Sequence, residues 1–233
     1  FDGHDHIDAD ESLPYPTRFL SHYPHSKALA EQAVIAANAP ELATCSIRPH
    51  LIWGPRDTQL VPRLIQRAQS GRLRLVGDGT NVISMAYVEN VAAAHLQAAR
   101  ALEPGSAVAG QVYFTNEPQS VNCSEWINTL LSCAGLPPVD KRISAKAAHR
   151  VGAVGEAIWS LLRLSGEPPM TRFLAGQLAS SHSYSIDKAV QDFGYTPRVS
   201  VEEGLRRIEP ELRRLTCGNG MPQEPTPDRK SVV

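Results

Sequence analysis

Residues 23–38 read YPHSKALAEQAVIAAN and residues 42–55 read LATCSIRPHLIWGP, and the order of these two stretches decides the fold class. The first is rich in good helix formers, with Leu29, Ala33, Ala36 and Ala37 at near-helical spacing and Pro24 where a first turn tolerates proline. Asn38, Ala39 and Pro40 stop it. The second is a short apolar and β-branched run closed by Gly54 and Pro55, which reads as a buried strand entering a loop. A helix delivering the chain into a buried strand is the unit from which α/β proteins are built.

The alternation continues outward. Residues 60–71, LVPRLIQRAQSG, predict a helix with Leu60, Leu64 and Ala68 on one face, arginines on the other and Gly71 at its end. RLRLVGDGTN reads as a strand and turn, VISMAY as a short strand, and an alanine-rich helix follows from about Val88 to Leu102. GQVYFTNE reads as one more strand, closing an α/β region at about residue 117. Beyond it helices dominate, over Ser124–Ala134, Ala145–Leu164 and two segments around Gly194 to Pro197. This predicts a mostly helical lobe over residues 118–215. The low-complexity stretch CGNGMPQEPTPDRKSVV predicts a disordered tail over residues 216–233, and FDGHDHIDADESLPYP at the other end reads as a loop.

Composition narrows the function classes. In 233 residues, 23 Lys and Arg against 24 Asp and Glu give a formal charge of -1, which lacks the positive field that draws a protein to nucleic acid. The four cysteines, Cys45, Cys123, Cys133 and Cys217, are too scattered for a metal knuckle or a disulfide scaffold, which fits a reducing, cytoplasmic setting. No apolar run is long enough to span a membrane. Residues 147–166, AAHRVGAVGEAIWSLLRLSG, read as a lobe helix packed over the substrate pocket, with peripheral membrane contact as the alternative; Arg150, Glu156 and Arg163 forbid spanning.

The sharpest chemical signal is Tyr23 and Lys27, four positions apart and so one turn apart on a helix face. A free phenol, with a pKa near 10, is a poor base at neutral pH. A cation beside it favours phenolate and makes it usable for proton transfer. GHDHIDADE gathers His4, His6, Asp5, Asp8 and Asp10, but alternate spacing in a loop fixes no coordination geometry, so no metal is expected there. His95 reads as structural. Arg63, Arg67, Arg72 and Arg74 read as a solvated face, and Arg172 in EPPMTR either meets a substrate carboxylate or forms a surface ion pair.

YPHSKALAEQAV, SIRPHLIWGP, the stretch from LVPRLIQ to VAAAHLQA and GQVYFTNEPQSVNCSEWINTLL, taken in order over about residues 10–215, resemble the extended short-chain dehydrogenase/reductase superfamily. Within it they look most like the 3β-hydroxysteroid dehydrogenase and sterol-4α-carboxylate 3-dehydrogenase branch, and less like the sugar-nucleotide epimerases and dehydratases. The resemblance implies the C-terminal part of a Rossmann-type, doubly wound parallel sheet over residues 1–117, a smaller helical substrate lobe, and NAD or NADP as cofactor. It makes Tyr23 the catalytic acid/base and Lys27 the cation that supports it and holds the nicotinamide ribose, and it sets both against the cofactor. Pro49 and His50, after Arg48, match a strand end that lies against the nicotinamide. Tyr87, Val88, Glu89 and Asn90 match a Y-V-D-N segment with Glu89 in place of the usual Asp.

The implied reaction oxidises a secondary alcohol, the 3β-hydroxyl of a steroid-like small molecule, to a ketone. With a neighbouring carboxylate the product is a β-keto acid that loses carbon dioxide readily. A homodimer through the helices around the tyrosine is also in keeping with the superfamily. The superfamily's G-x-x-G-x-x-G turn, which cradles the pyrophosphate, is not found in this sequence, and its Ser or Thr about two dozen residues before the tyrosine falls at or before Phe1. The expectation is therefore a fragment preceded by roughly 100–130 residues, which alone binds NAD weakly and exposes an unpaired sheet edge. A binding module that keeps the fold without catalysis is the remaining alternative.

Overall fold

A computed structural model describes residues 4–19, 21–166 and 168–217. The expected tail beyond Cys217 and Glu167 of the EPPMTR loop lie outside the described residues. In chain order the elements are β1 (His6–Ala9), α1 (His22–Ala36), β2 (Ser46–Arg48), β3 (Ile52–Trp53), α2 (Leu60–Gln69), β4 (Leu75–Val76), β5 (Val82–Ile83), β6 (Ala86–Tyr87) and α3 (Val88–Ala101). They continue with β7 (Val112–Phe114), β8 (Val121–Asn122), α4 (Cys123–Cys133), β9 (Arg142–Ile143), α5 (Ala145–Leu161), α6 (Arg172–Ala179), β10 (His182–Tyr184), α7 (Asp187–Phe193) and α8 (Val201–Thr216).

The strand pairs β2–β7, β3–β6 and β4–β9 are parallel, as are β1–β10 and β10–β5; β8 joins β5 antiparallel at the edge of the order β1-β10-β5-β8. Parallel pairs joined through helices bear out the expected α/β class. The register Ser46–Val112, Ile47–Tyr113 and Arg48–Phe114 sets the C-terminal ends of β2 and β7 side by side. That juxtaposition positions the candidate site.

Five sequence expectations are corrected. The stretch 42–55 is two strands, because Pro49 carries no N–H for a ladder and Leu51 adopts φ 43°, which turns the chain between β2 and β3. The opening segment is not all loop: His6–Ala9 gains its strand form by pairing with β10, a partner 176 residues away between His6 and His182. The buried face of α2 is Val61, Pro62 and Ile65, with Leu60, Leu64 and Ala68 packed at its margin. Finally α5 stops at Leu161, three residues short of Leu164, and Thr216 closes α8 rather than opening the tail.

The main core lies between α2, α4, α8 and the strands, where Trp53 stands edge-on to Tyr87 and Trp126 at centroid distances of 5.2 and 5.6 Å. Edge-to-face rings at such distances add roughly 0.5–1.5 kcal/mol per pair beyond burial. Gly204 lets α8 reach these rings, since a Cβ there would lie 2.7 Å from Trp53 Cη2 and 2.9 Å from Tyr87 Cδ2. Gly204→Ala is expected to destabilise the fold by about 1–2 kcal/mol, the overpacking cost outweighing the gain in helix propensity. An unshifted urea midpoint would show that the rings yield without cost.

Candidate active site

Helix α1 carries Tyr23, Lys27 and Glu31 at successive four-residue steps, each rotated only about 40° from the last. They form one stripe, and Glu31 decides where it points. Its carboxylate accepts hydrogen bonds from Arg48 Nε and Ser46 Oγ of β2, each at 2.8 Å, and from Tyr15 Oη at 2.6 Å, and Arg48 Nη2 closes an ion pair with it. Burial alone would raise the Glu31 carboxyl, but Arg48, Tyr15 and Ser46 outweigh it and hold the group below its ordinary value. The Arg48 guanidinium also lies over the rings of Tyr15 and Phe114, 5.6 and 5.4 Å from their centroids.

This polar clamp, rather than an apolar face, fastens α1: none of its residues is buried, Tyr23 is 66% exposed, and Lys27 and Leu29 are exposed. The helix presents the phenol and the ammonium on an exposed face, in one stripe with Glu31. Strand β2 then runs into Pro49 and His50, the two residues expected at the nicotinamide.

His50 is fixed from three sides. Its backbone N–H donates to Asn116 Oδ1 at 2.8 Å, its Nε2 lies 2.6 Å from His182 Nδ1, and its ring meets Tyr184 edge-on at 5.3 Å. Burial first, and His182 second, push the His50 imidazole down to about 3, so the ring is neutral at physiological pH. Asn116 follows β7 and is fully buried, with Nδ2 lacking a hydrogen-bond partner.

The Tyr87–Asn90 segment is held by a carboxylate that the sequence did not single out. Glu117 Oε1 accepts the Tyr87 backbone N–H at 2.7 Å and Asn90 Nδ2 at 2.9 Å. Burial raises its carboxyl, while those two donors oppose the rise. Asn90 also binds Val199 O, Arg198 N and Val199 N, tying α3 to the chain before α8. Glu89 points outward and pairs with Arg207 at 2.8 Å.

The remaining candidates fall elsewhere. Arg172 donates its Nε to Glu156 Oε2 at 2.6 Å and its backbone N–H to Oε1 of the same carboxylate. His95 Nδ1 bonds Val91 O within α3. Arg63, Arg72 and Arg74 are exposed, whereas Arg67 is half-buried and reaches the Pro169 carbonyl, a departure from the fully solvated face expected. Among the described residues no three His, Cys, Asp or Glu side chains converge on a metal, and the four cysteines are free. No described helix is long and apolar enough to cross a membrane, and Val151, Val154, Ile158 and Leu161 form an exposed apolar stripe on α5 that continues into Leu162 just after it.

Glu31, Asn116, Glu117 and His182 were thus missed. Glu31 could have been found, since it continues the Tyr23–Lys27 spacing. The other three are set by pairings across 27 to 132 residues and leave no local signal.

The chain matches the family model described as the 3-beta hydroxysteroid dehydrogenase/isomerase family over residues 1–143. A 2-alkyl-3-oxoalkanoate reductase of Stenotrophomonas maltophilia is 54% identical over 203 residues, covering 87% of this chain and 61% of that protein. The mouse sterol-4-alpha-carboxylate 3-dehydrogenase (decarboxylating) is 30% identical over 220 residues, covering 92% of this chain and 61% of its own length. The chain therefore spans about three fifths of the curated relatives it matches. Among solved structures, a UDP-glucuronic acid 4-epimerase from Bacillus cereus bound to NAD superposes with a TM-score of 0.62 at 19% identity, over 92% of this chain and 58% of the other. A dTDP-glucose 4,6-dehydratase from Streptomyces venezuelae gives 0.62 at 21% identity, over 92% of this chain and 56% of the other, and at such identities the likeness concerns the fold. With the Tyr23–Lys27 stripe, the RPH strand end and a matching family model over more than half its length, this chain belongs to the 3-beta hydroxysteroid dehydrogenase/isomerase family.

Proposed function

We propose that this chain is the catalytic-helix and substrate portion of an NAD(P)-dependent oxidoreductase that interconverts a ketone and a secondary alcohol next to a carboxylate-bearing carbon. What supports the reading is that Tyr23 and Lys27 share one stripe of α1 with Glu31, which the clamp ties to Arg48 and Ser46 of β2, the strand that runs into Pro49 and His50. Tyr23 passes a proton to or from the reacting oxygen, and Lys27 supplies positive charge one turn away and holds the ribose. NAD(P), when bound, supplies or takes the hydride.

The residues present fit the nicotinamide end of such a group. The buried Asn116 amide has an unpartnered Nδ2 beside His50, at the C-terminal strand ends where parallel sheets take ligands. The pyrophosphate-cradling turn is not in this sequence, so residues 1–233 alone are expected to bind the dinucleotide weakly.

The substrate class follows from what the relatives' names have in common. A 2-alkyl-3-oxoalkanoate and a sterol 4-carboxylate with a reacting C3 each place a carboxylate on the carbon beside the reacting one, within a bulky apolar molecule. The steroid reading is one case of this class. Arg172 enters it only by exchanging Glu156 for the substrate carboxylate.

The test is turnover by the intact protein, followed by nicotinamide absorbance, with a 2-alkyl-3-oxoalkanoate, a sterol 4-carboxylate and a UDP-sugar. Oxidation of NAD(P)H by the first, or reduction of NAD(P) by the second, is expected. Action on the sugar nucleotide alone would replace this reading with the epimerase or dehydratase one. Inertness toward all three, with cofactor bound, would favour a non-catalytic module.

A further inference from the structure

We propose that His182 is a positioning residue for the cofactor-facing strand end: from β10 it locks the His50 imidazole in one neutral tautomer, so that this ring offers an acceptor rather than a second donor or a positive charge. The inference rests on the reading of Pro49 and His50 as cofactor residues, and it adds a residue that neither spacing nor resemblance pointed to.

The tautomers follow from counting protons along a chain of contacts. A backbone carbonyl only accepts, so His182 Nε2, 2.7 Å from Gln177 O, carries a proton. In a neutral ring Nδ1 of His182 is then the acceptor, and His50 Nε2, 2.6 Å away, donates to it. His50 keeps its lone pair at Nδ1. The donation runs His50 to His182 to Gln177, from the end of β2 through β10 to α6, while the His50 backbone N–H is held separately by Asn116 after β7.

The surroundings oppose a proton on either ring. Protonation of His182 would set two N–H groups against each other at 2.6 Å. Burial lowers the His182 imidazole, with the Gln177 carbonyl opposing, and burial followed by His182 lowers His50. His6, opposite His182 in the β1–β10 register, adds positive charge when protonated and so pushes the same way. Tyr184 meets His50 ring to ring, and Asn116 accepts only its backbone N–H. A neutral strand end suits a cofactor whose oxidised ring is cationic.

Two measurements on the intact protein test this. Imidazole 15N NMR of the wild type is expected to show both rings as neutral Nε2–H tautomers at neutral pH, with His50 not titrating between about pH 5 and 8. A His50 that titrates near 6.5, or carries its proton on Nδ1, overturns the lock.

The second is cofactor affinity. His182→Phe, which has no acceptor, is expected to release the His50 tautomer and weaken NAD(P) binding about tenfold, the scale of one lost hydrogen bond. His182→Gln, whose amide can accept from His50 and donate to Gln177 O, is expected to restore both tautomer and affinity. Equal weakening by both variants with the His50 tautomer intact would mean that His182 is merely structural, and no change in His182→Phe would mean that it does nothing. If the wild type shows the locked tautomers yet binds no nicotinamide dinucleotide, the functional reading fails and the cofactor role of the lock fails with it.

Discussion

Tyr23→Phe in the intact protein is expected to lower kcat by about 10²–10⁴-fold, the usual contribution of a positioned general acid or base, with cofactor affinity unchanged. The phenylalanine ring keeps the shape of the side chain, and Tyr23 is 66% exposed at the start of α1, so folding has little stake in the lost hydroxyl. The substitution thus removes the proton carrier and little else. Lys27→Met provides the contrast: it should lower kcat and raise the KM for cofactor together, because the ammonium serves both the phenol and the ribose. Steady-state kinetics in both directions, with a calorimetric or fluorescence titration of NAD(P)H, separates the two. Turnover unchanged in Tyr23→Phe would remove this tyrosine from the mechanism and return the chain to the class of binding modules.

A second large effect is expected from Glu31→Ala, this time on stability as well as on the site. The Glu31 side chain is 10% exposed and that of Arg48 23%, so truncating the acid leaves a largely buried guanidinium uncompensated together with the Tyr15 and Ser46 hydroxyls. Breaking a buried pair by removing one partner costs about 3–5 kcal/mol, and the partial exposure of Arg48 points to the lower end, about 3 kcal/mol. Because α1 has no fully buried residue and Glu31 is its main tie to β2, the loss should also free the helix, and kcat should fall even where the protein remains folded.

The same carboxylate predicts an acid dependence. Its folded pKa is lowered from the ordinary 4.5, so its contribution is fully present above that value and is lost as the pH falls from 4.5 through the folded value. Urea unfolding from neutral pH into this acid window should show the wild type losing stability that Glu31→Ala never had. Parallel curves for the two proteins would show that the clamp does not hold α1.

The reading of residue types and spacing reached the fold class and the helix face that carries Tyr23 and Lys27 of the candidate site. Helix formers ending at Asn38, followed by the run to Gly54, are local patterns, and local patterns survive without knowledge of partners. Tyr23 and Lys27 were legible for the same reason, since a separation of four on a helix is a statement about one face. Strand β1 was not legible, because its alternation is too short and polar to signal a strand and its form comes from β10. The single strand expected over 42–55 failed at Pro49 and Leu51, where a missing donor and a left-handed residue divide it. The spacing of Leu29, Ala33, Ala36 and Ala37 signalled the helix, yet no residue of α1 is fully buried and a carboxylate fastens it.

By itself, then, the order of residues determined the alternation of helix and strand, the Tyr23–Lys27 face and the RPH strand end, all properties of neighbours within a turn or a strand. Only the tertiary structure decided that Glu31 meets Arg48, that Glu117 rather than Glu89 holds the Tyr87–Asn90 segment, and that His182 returns to His50 across 132 residues. The physical reason is that a buried charge or polar atom takes whichever partner the packed chain brings within hydrogen-bond reach. Separation along the sequence carries no record of that distance.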